Sequence, residues 1–173
     1  MKKSVSTGLL VLTALFAALI FAVTAYVFHI PVPATGGYIH LGDAFLYLAA
    51  SILPTPYAVA AGGIGEALSD GLTGSAVFVI PTLVIKSAMA FCFSAAGRAL
   101  VTKRNVIACV AAGFICVGGY YLTEVFLLGG FAAPVAEIPG NLIQAAASAA
   151  IYLVLGRAFD RLKVKNGLAA LVK

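Results

Sequence analysis

The feature that most limits the possible folds is an uncharged apolar run over residues 9–28, LLVLTALFAALIFAVTAYVF. A helix of this length spans about 30 Å, which matches the hydrocarbon core of a bilayer. The whole chain is 62% hydrophobic and only 10% charged, whereas soluble domains carry roughly 25% charged residues. We therefore expect an integral membrane protein that forms one domain over residues 1–173.

Proline, glycine and charged residues divide the chain into six apolar segments. The predicted helices cover residues 7–29, 41–53, 58–70, 76–98, 105–128 and 140–159. The expected fold class is thus an all-α membrane protein, a bundle of six transmembrane helices. Residues 29–40, HIPVPATGGYIH, are rich in proline, glycine and aromatic residues and are predicted to form a loop.

The basic residues orient this bundle. Except for Lys86, they all lie near the two ends of the chain or at the turn between the fourth and fifth predicted helices. Six spans put these regions on one face, which the positive-inside rule makes cytoplasmic. Both termini are then cytoplasmic, in a cell membrane. Lys2 and Lys3 precede an apolar run that is long for a signal peptide and lacks an Ala-x-Ala site, so we expect an uncleaved first helix.

Most acidic and amide side chains fall in the outer half of this arrangement. The set is Asp43, Glu66, Asp70, Glu124, Glu137, Asn141 and Gln144. Ionisable groups within a membrane are costly unless they are paired or face water, so they indicate a functional site. With loop 29–40 above them, and with aromatic walls, they predict a small-molecule pocket. The candidate aromatic residues are Tyr38, Tyr47, Tyr120, Tyr121 and Phe126.

Each polar residue also has a structural interpretation. Lys86 pairs with Glu66 or Glu124, contacts a ligand, or does both. Asp43 suits the first turn of a helix, where the dipole favours a carboxylate, and Asp70 suits a helix end. The two histidines fit a membrane–water interface better than a metal centre, so no metal site is predicted.

Motifs for catalysis and nucleotide binding are absent from the sequence. There is no GxxxxGK[ST], HExxH or GxSxG pattern. The three cysteines have no metal-binding spacing and are expected to be buried free thiols. We therefore expect no catalytic residue, no cofactor and no enzyme activity, and a chain that cannot use ATP by itself.

Ala14, Ala18 and Ala22 are four residues apart and so share one face of the first helix. Small residues let a second helix approach closely in a membrane. The residues alone leave two interpretations open, internal packing or contact with a partner subunit.

Taken together, these features resemble the substrate-binding (S) components of energy-coupling factor (ECF) vitamin transporters. The resemblance covers nearly the whole chain and includes the alanine stripe and the loop after it. It rests further on four runs, His40-Leu-Gly-Asp43, Gly62-Gly-Ile-Gly65, Leu68-Ser-Asp70-Gly71 and Pro81-Thr-Leu-Val-Ile-Lys86. These runs look like the branch grouped with riboflavin, hydroxymethylpyrimidine and pyridoxine uptake proteins.

The resemblance implies a subunit that binds a vitamin with high affinity from outside, beneath loop 29–40. It implies that the face formed by Ala14, Ala18 and Ala22 docks on a transmembrane coupling subunit, which two cytoplasmic ATPases drive. The S component is then expected to topple in the membrane and release its ligand inward.

Depth and polarity select the candidate substrate-binding residues within this scheme. They are Tyr38, His40, Asp43, Glu66, Lys86, Tyr120, Glu124, Asn141 and Gln144. The chain has no Trp, on which several S components stack their ligand. A small polar heteroaromatic ring, such as hydroxymethylpyrimidine, pyridoxine or a queuine-like deazapurine, is expected ahead of a bulky flavin, with riboflavin as an open alternative.

Two other classes of function remain open from the residues. The first is a stand-alone ion-coupled transporter or channel, in which the alanine stripe mediates self-association and Lys86 with Glu66 relays ions or protons. The second is a membrane enzyme or scaffold.

Overall fold

A computed structural model describes residues 6–171 as a helical bundle with one short β-hairpin. The elements are α1 (Thr7–Tyr26), β1 (Ile30–Val32), β2 (Gly37–Ile39), α2 (Gly42–Ile52), α3 (Thr55–Thr73), α4 (Val79–Phe91), α5 (Lys103–Leu128), α6 (Ile138–Arg161) and α7 (Val164–Leu171). Short 3₁₀ turns, Ala76–Phe78 and Ala133–Glu137, precede α4 and α6. The basic residues Lys2, Lys3 and Lys173, used above for orientation, lie outside the described residues.

Three of the described helices are long and apolar enough to cross a membrane, namely α1, α5, and α6 with the 3₁₀ turn before it. By contrast, α2 has 11 residues and α4 has 13. At ~1.5 Å per residue, α2 is about 16 Å long, roughly half of a hydrocarbon core. The helical bundle agrees with the predicted all-α class, while the number of six spans stays a prediction.

Helix α2 lies at the centre of the bundle. All of its residues except Phe45 and Ile52 are buried, and it packs on α1, α3 and α6. Around it, α1 contacts α3, α3 contacts α4, α4 contacts α5, and α5 contacts α6. A short helix surrounded by longer ones brings the side chains of its first turn into contact with several helices at once.

Glycine lets α1 and α3 approach closely. A Cβ atom at Gly65 would lie 2.7 Å from the carbonyl oxygen of Ala17 and 3.1 Å from the Cβ of Ile20. Such distances are closer than van der Waals contact, so a larger residue would push the two helices apart. Gly65 therefore limits how closely α1 and α3 can approach.

The fourth helix ends at Phe91, so the predicted end at residue 98 is wrong. Polar side chains of neighbouring helices hold the segment between α4 and α5. Asn105 donates to the carbonyl oxygens of Ser94 and Leu100 at 3.0 and 2.9 Å and accepts from the Ser94 backbone N–H at 3.0 Å. The Asp160 carboxylate accepts from the Leu100 backbone N–H at 2.6 Å. These hydrogen bonds replace the backbone hydrogen bonds that would form if the helix continued beyond Phe91.

The predicted loop 29–40 contains an antiparallel β-hairpin that the sequence analysis missed. Ile30 pairs with Ile39 and Val32 with Gly37. The turn between the strands includes Gly36 at φ +75°, a left-handed conformation that glycine adopts without strain. The hairpin covers one end of the bundle, where α2 begins.

A short helix, α7, occupies the predicted basic tail. Its Lys165 Nζ donates to the backbone oxygens of Ser51, Ala95 and Gly97 at 2.9, 2.6 and 2.8 Å. Lys165 thus joins the end of α2 to the irregular segment after α4. Burial lowers the pKa of this ammonium, and the nearby Asp160 carboxylate opposes that shift.

Candidate functional site

A narrow cavity lies between the hairpin, α3, α5, α6 and the 3₁₀ turns that precede α4 and α6. Five of the predicted site residues line it, namely Tyr38, His40, Tyr120, Glu124 and Asn141. Its volume is about 20 Å³, which holds about one water molecule. Typical ligand pockets measure roughly 300–1,000 Å³. The cavity is therefore too small for a vitamin-sized ligand in this conformation, and the hairpin residues Gly37 and Tyr38 form part of its wall.

The other predicted residues form a buried polar layer beneath this cavity. Lys86 Nζ lies 2.6 Å from Asp43 Oδ1, and both side chains are 0% exposed. Gln144 donates to the second oxygen of Asp43 at 2.8 Å. The expected pairing of Lys86 with Glu66 or Glu124 is wrong, because the central position of α2 brings Asp43 against α4. Asp43 is consequently an ion-pair partner as well as a residue of the first helical turn.

His40 is buried in the same layer, in contrast to the interfacial position predicted for the histidines. Its Nε2 lies 3.3 Å from Glu66 Oε2, and its backbone N–H donates to Gln144 Oε1 at 2.9 Å. Its Nδ1 accepts from the Gly42 backbone N–H at 3.1 Å. Burial, followed by the nearby Lys86 ammonium, lowers the pKa of His40 to about 3. The imidazole is thus neutral at physiological pH, with Nε2–H facing Glu66.

The ligand atoms of His40, Asp43 and Glu66 lie within 4.8 Å of one another, a spacing that a metal ion could bridge. However, Lys86 and Gln144 already occupy both oxygens of Asp43. An ammonium group 2.6 Å from a carboxylate also repels an incoming cation. We therefore interpret the cluster as a buried ion-pair and hydrogen-bond network.

Tyr120 connects the network to the cavity. Lys86 Nζ lies 5.4 Å from the centre of its ring, within the range of a cation–π interaction. Its hydroxyl forms a 2.9 Å hydrogen bond with Thr82. The ring is therefore held by contacts with α4 while it lines the cavity.

Four sets of contacts hold the hairpin and its ends in place. Tyr38 donates its hydroxyl proton to Asp70 at 2.6 Å, and its oxygen accepts from the Ser69 hydroxyl at 3.0 Å. Its ring stacks on His29 with 3.9 Å between centroids. Thr35 donates to Glu137, and Ser75 donates to the Gly36 carbonyl at 3.1 Å. Most of these are single side-chain hydrogen bonds, each of which is modest in net free energy.

Glu124 has no comparable partner. Its side chain is 1% exposed, and neither carboxylate oxygen has a hydrogen-bond partner among residues 6–171. Glu137 lies beside it, close enough to share a hydrogen bond if one of the two is protonated. Glu137 itself receives Thr35 and, at 3.5 Å, Asn141. The two carboxylate oxygens of Glu124 are therefore buried acceptors in the cavity wall that receive no hydrogen bond from the described residues.

Four residues of the cavity wall were not among the predicted substrate-binding residues, namely Gly37, Asp70, Phe78 and Glu137. Of these, Asp70 and Glu137 can be recognised in the sequence as acidic residues of the predicted outer half, and they belong to the acidic and amide set that predicted a pocket. Nothing in the sequence distinguishes Phe78 from the other apolar residues. Conversely, Tyr47 packs in the core and Phe126 is 85% exposed, so their predicted role as pocket walls is wrong.

The alanine stripe of α1 faces outward in part. Ala14 and Ala18 line an apolar groove between α1 and α3 that has a volume of about 490 Å³. The surface of α1 beside this groove is apolar, with Leu10 and Leu15 more than half exposed. Of the two interpretations of the stripe, this arrangement favours an external contact.

Comparison with known proteins defines the family. Residues 4–161 match the family model described as the ECF-type riboflavin transporter S component. The chain belongs to this family. An S component is a substrate-binding membrane subunit of a vitamin transporter, not an enzyme, and works with an ECF transport module.

Two further similarities accompany this match. The fold is similar to the solved S component of a bacterial ECF transporter, with a TM-score of 0.68 and 15% sequence identity over 89% of this chain and 96% of that chain. An uncharacterised protein from Pyrococcus woesei is 31% identical over 124 residues, which are 71% of this S component and 82% of that protein. The expected resemblance to S components is thus confirmed.

Proposed function

We propose that this S component captures a small heteroaromatic vitamin or vitamin precursor outside the cell membrane for ATP-driven import. The candidate ligands are hydroxymethylpyrimidine, pyridoxine and a queuine-like deazapurine, with riboflavin as the larger alternative. The observation that carries the proposal is the polar cavity closed by the hairpin, because it combines aromatic walls with unused hydrogen-bonding groups.

In this proposal the hairpin is the lid of the binding site. Ligand entry breaks the contacts of Tyr38 and Thr35 and separates the hairpin from α3 and α6. The layer around Asp43 and Lys86 forms the floor and stays in place, since its charges are paired and buried. The ligand then contacts Tyr120 and Glu124 from one side and Tyr38 of the closed hairpin from the other.

We further propose six membrane spans with both termini in the cytoplasm. Support comes from the position of the basic residues relative to the cavity. The hairpin lies at the start of α2, while Lys165 binds the carbonyl oxygen of Ser51 at its other end. The basic α7 and the basic turn before α5 are thus at the end opposite the cavity, which agrees with an outward-facing site.

The face of Ala14, Ala18 and Ala22 is the proposed docking surface for the transmembrane coupling subunit. Two cytoplasmic ATPases would drive that subunit. The face is apolar and nearly flat because its side chains are single methyl groups, and it borders the groove between α1 and α3. Small-residue faces of this kind permit close helix contact in a membrane.

Uptake in proteoliposomes tests the proposal. The S component is reconstituted with and without the coupling subunit and ATPases, and uptake is measured for a ligand identified by mass spectrometry of the purified protein. Ala18→Trp is expected to abolish ATP-dependent uptake while ligand binding remains. Ile107→Trp, at a position of α5 that is 69% exposed, is the matched control and is expected to retain both.

Transport by this chain alone, without the ATPases, would instead support the ion-coupled transporter or channel. In that case Ala18→Trp should alter self-association rather than the contact with a coupling subunit. A protein purified without any bound small molecule, and with no response to any of the candidate vitamins, would contradict the binding function itself.

A further inference from the structure

We propose that the ligand presents two adjacent N–H donors to the carboxylate of Glu124. A 2-amino-4-oxopyrimidine ring fused into a deazapurine has this donor pair, as does an aminopyrimidine protonated at the neighbouring ring nitrogen. The proposal rests on the function proposed above for the cavity and narrows the ligand to one chemical class.

The first argument is the state of the Glu124 carboxylate. Buried polar groups in proteins almost always have hydrogen-bond partners, and an unpaired buried carboxylate is costly. Among the described residues, the neighbouring Glu137 is a second acid, and both oxygens of Glu124 are without a hydrogen-bond donor. The other acids around the cavity each have at least one, since Asp70 receives Tyr38 and Glu137 receives Thr35. Glu124 is therefore the acceptor that a ligand can satisfy with the largest gain.

The shape of the cavity wall around Glu124 favours a flat ligand. A carboxylate offers two parallel acceptors, and planar groups with two parallel N–H donors bind it most strongly. Tyr120 is one helical turn before Glu124 on α5, so both side chains lie on the same face. Together with Phe78 and Tyr38, it provides aromatic surface beside the carboxylate. This arrangement suits a flat ring whose edge, rather than a flexible tail, carries the donors.

The charge of the cavity wall also limits the kind of ligand. The cavity is lined by the acids Asp70, Glu124 and Glu137 and by the neutral His40. The cation Lys86 lies in the layer below and is paired with Asp43. Such a wall repels phosphate and carboxylate groups and favours neutral or cationic donors. Phosphorylated vitamins are therefore poor ligands.

The same reasoning discriminates against riboflavin. The outer edge of its ring system has one N–H flanked by two carbonyl oxygens. When that N–H donates to one oxygen of Glu124, a carbonyl oxygen faces the other oxygen of the carboxylate. Two acceptors in contact repel each other, so the flavin edge matches a carboxylate poorly.

A structural explanation of Glu124 competes with this proposal. Glu124 and Glu137 would share one proton, and the pair would only support the loop before α6. The variant Glu124→Gln distinguishes this structural explanation from ligand binding. Its amide donates to Glu137 and preserves a shared hydrogen bond, but it replaces one of the two acceptors by a donor.

Binding measurements on the full chain in detergent provide the test. The probes are 7-deazaguanine, its analogue 7-deazahypoxanthine, which lacks the amino group, hydroxymethylpyrimidine, and riboflavin. 7-Deazaguanine carries the donor pair in its neutral form, whereas hydroxymethylpyrimidine carries it only when protonated, so these two probes distinguish the two forms. We expect at least one of them to bind roughly 100-fold more tightly than riboflavin, and 7-deazahypoxanthine to bind more weakly than 7-deazaguanine.

Glu124→Gln should weaken binding of the preferred probe by roughly 100-fold, because a charge-assisted hydrogen bond is lost and two donors then face each other. Its melting temperature without ligand should equal or exceed that of the wild type, because a buried unpaired acid has been removed. Phe126→Leu, at an exposed position in the last turn of α5, is the control and should change neither quantity.

Two outcomes would overturn the proposal. In the first, riboflavin binds best and Glu124→Gln does not affect it, which rejects the donor pair but leaves vitamin binding in place. In the second, neither two-donor probe binds. If ATP-dependent uptake of another vitamin is nevertheless observed, only the ligand class is wrong; if no vitamin is bound or transported, the proposed function fails as well.

Discussion

Replacing Lys86 by Met tests whether the layer beneath the cavity is held together by charge. The Lys86 ammonium lies 2.6 Å from Asp43 Oδ1, and neither side chain is exposed. Without it, Asp43 keeps only the hydrogen bond from Gln144 at 2.8 Å. Removing one partner of a buried ion pair costs roughly 3–5 kcal/mol, which for a chain of this size lowers the melting temperature by roughly 6–20 °C.

The double variant Asp43→Asn/Lys86→Met is the matched control. It removes both charges, and the Asn oxygen can still accept from Gln144. Neutral replacement of a buried ion pair is often without net cost, so its stability should lie within roughly 1 kcal/mol of the wild type. The double-mutant cycle should therefore give a coupling free energy of at least ~2 kcal/mol between the two positions.

A thiol-reactive fluorescent dye can report unfolding, since the chain has no Trp while Cys109 and Cys116 are buried. All proteins in the series would carry Cys92→Ser, because Cys92 is partly exposed and would react before unfolding. If Lys86→Met is as stable as the wild type, or if the double variant is as unstable as the single one, the ionic explanation of this layer is refuted.

Three further predictions concern packing, the hairpin and α7. Gly65→Ala should lower the unfolding free energy by roughly 1–3 kcal/mol, because its Cβ would lie 2.7 Å from a carbonyl oxygen of α1; Gly118→Ala, where a Cβ meets no described heavy atom within 4 Å, should not lower the melting temperature. Tyr38→Phe removes two hydrogen bonds between the hairpin and α3, so ligand dissociation measured by rapid dilution should accelerate at least ~10-fold; an unchanged rate would show that the hairpin does not limit release. Lys165→Met removes the donor to three backbone carbonyls, and hydrogen exchange should increase selectively in residues 92–102, whereas uniform protection would contradict the role of α7 as a clamp.

The limits of the sequence analysis are clearest where a single polar side chain controls the backbone. The apolar segment after residue 76 predicts helix up to residue 98, yet α4 ends at Phe91. The cause is Asn105 on the next helix, whose amide binds the carbonyl oxygens of Ser94 and Leu100. Periodicity and hydropathy describe a segment by itself, so they contain no information on a hydrogen bond from another helix.

The hairpin was missed for a related reason. Its strands have three residues each, too few for an alternating pattern to be recognised. An isolated two-stranded hairpin is marginally stable in water, and here Tyr38, Thr35 and the Gly36 carbonyl tie it to the rest of the bundle. The proline and glycine residues indicated that the first helix stops, whereas contacts with the bundle decided the conformation of residues 30–39.

The sequence alone determined that the chain is an apolar helical membrane protein with its acidic and amide residues near one end. Hydropathy, proline, glycine and charge can be read from each segment by itself, and they indicate where helices form and where polar residues lie along the chain. Only the tertiary structure decided how these polar groups are paired, as in Asp43 with Lys86 and His40 with Glu66. It also decided that Glu124 lies beside Glu137 and receives no hydrogen bond from the described residues. Pairing depends on which helices are neighbours and how closely glycine lets them approach, and these are properties of the assembled bundle.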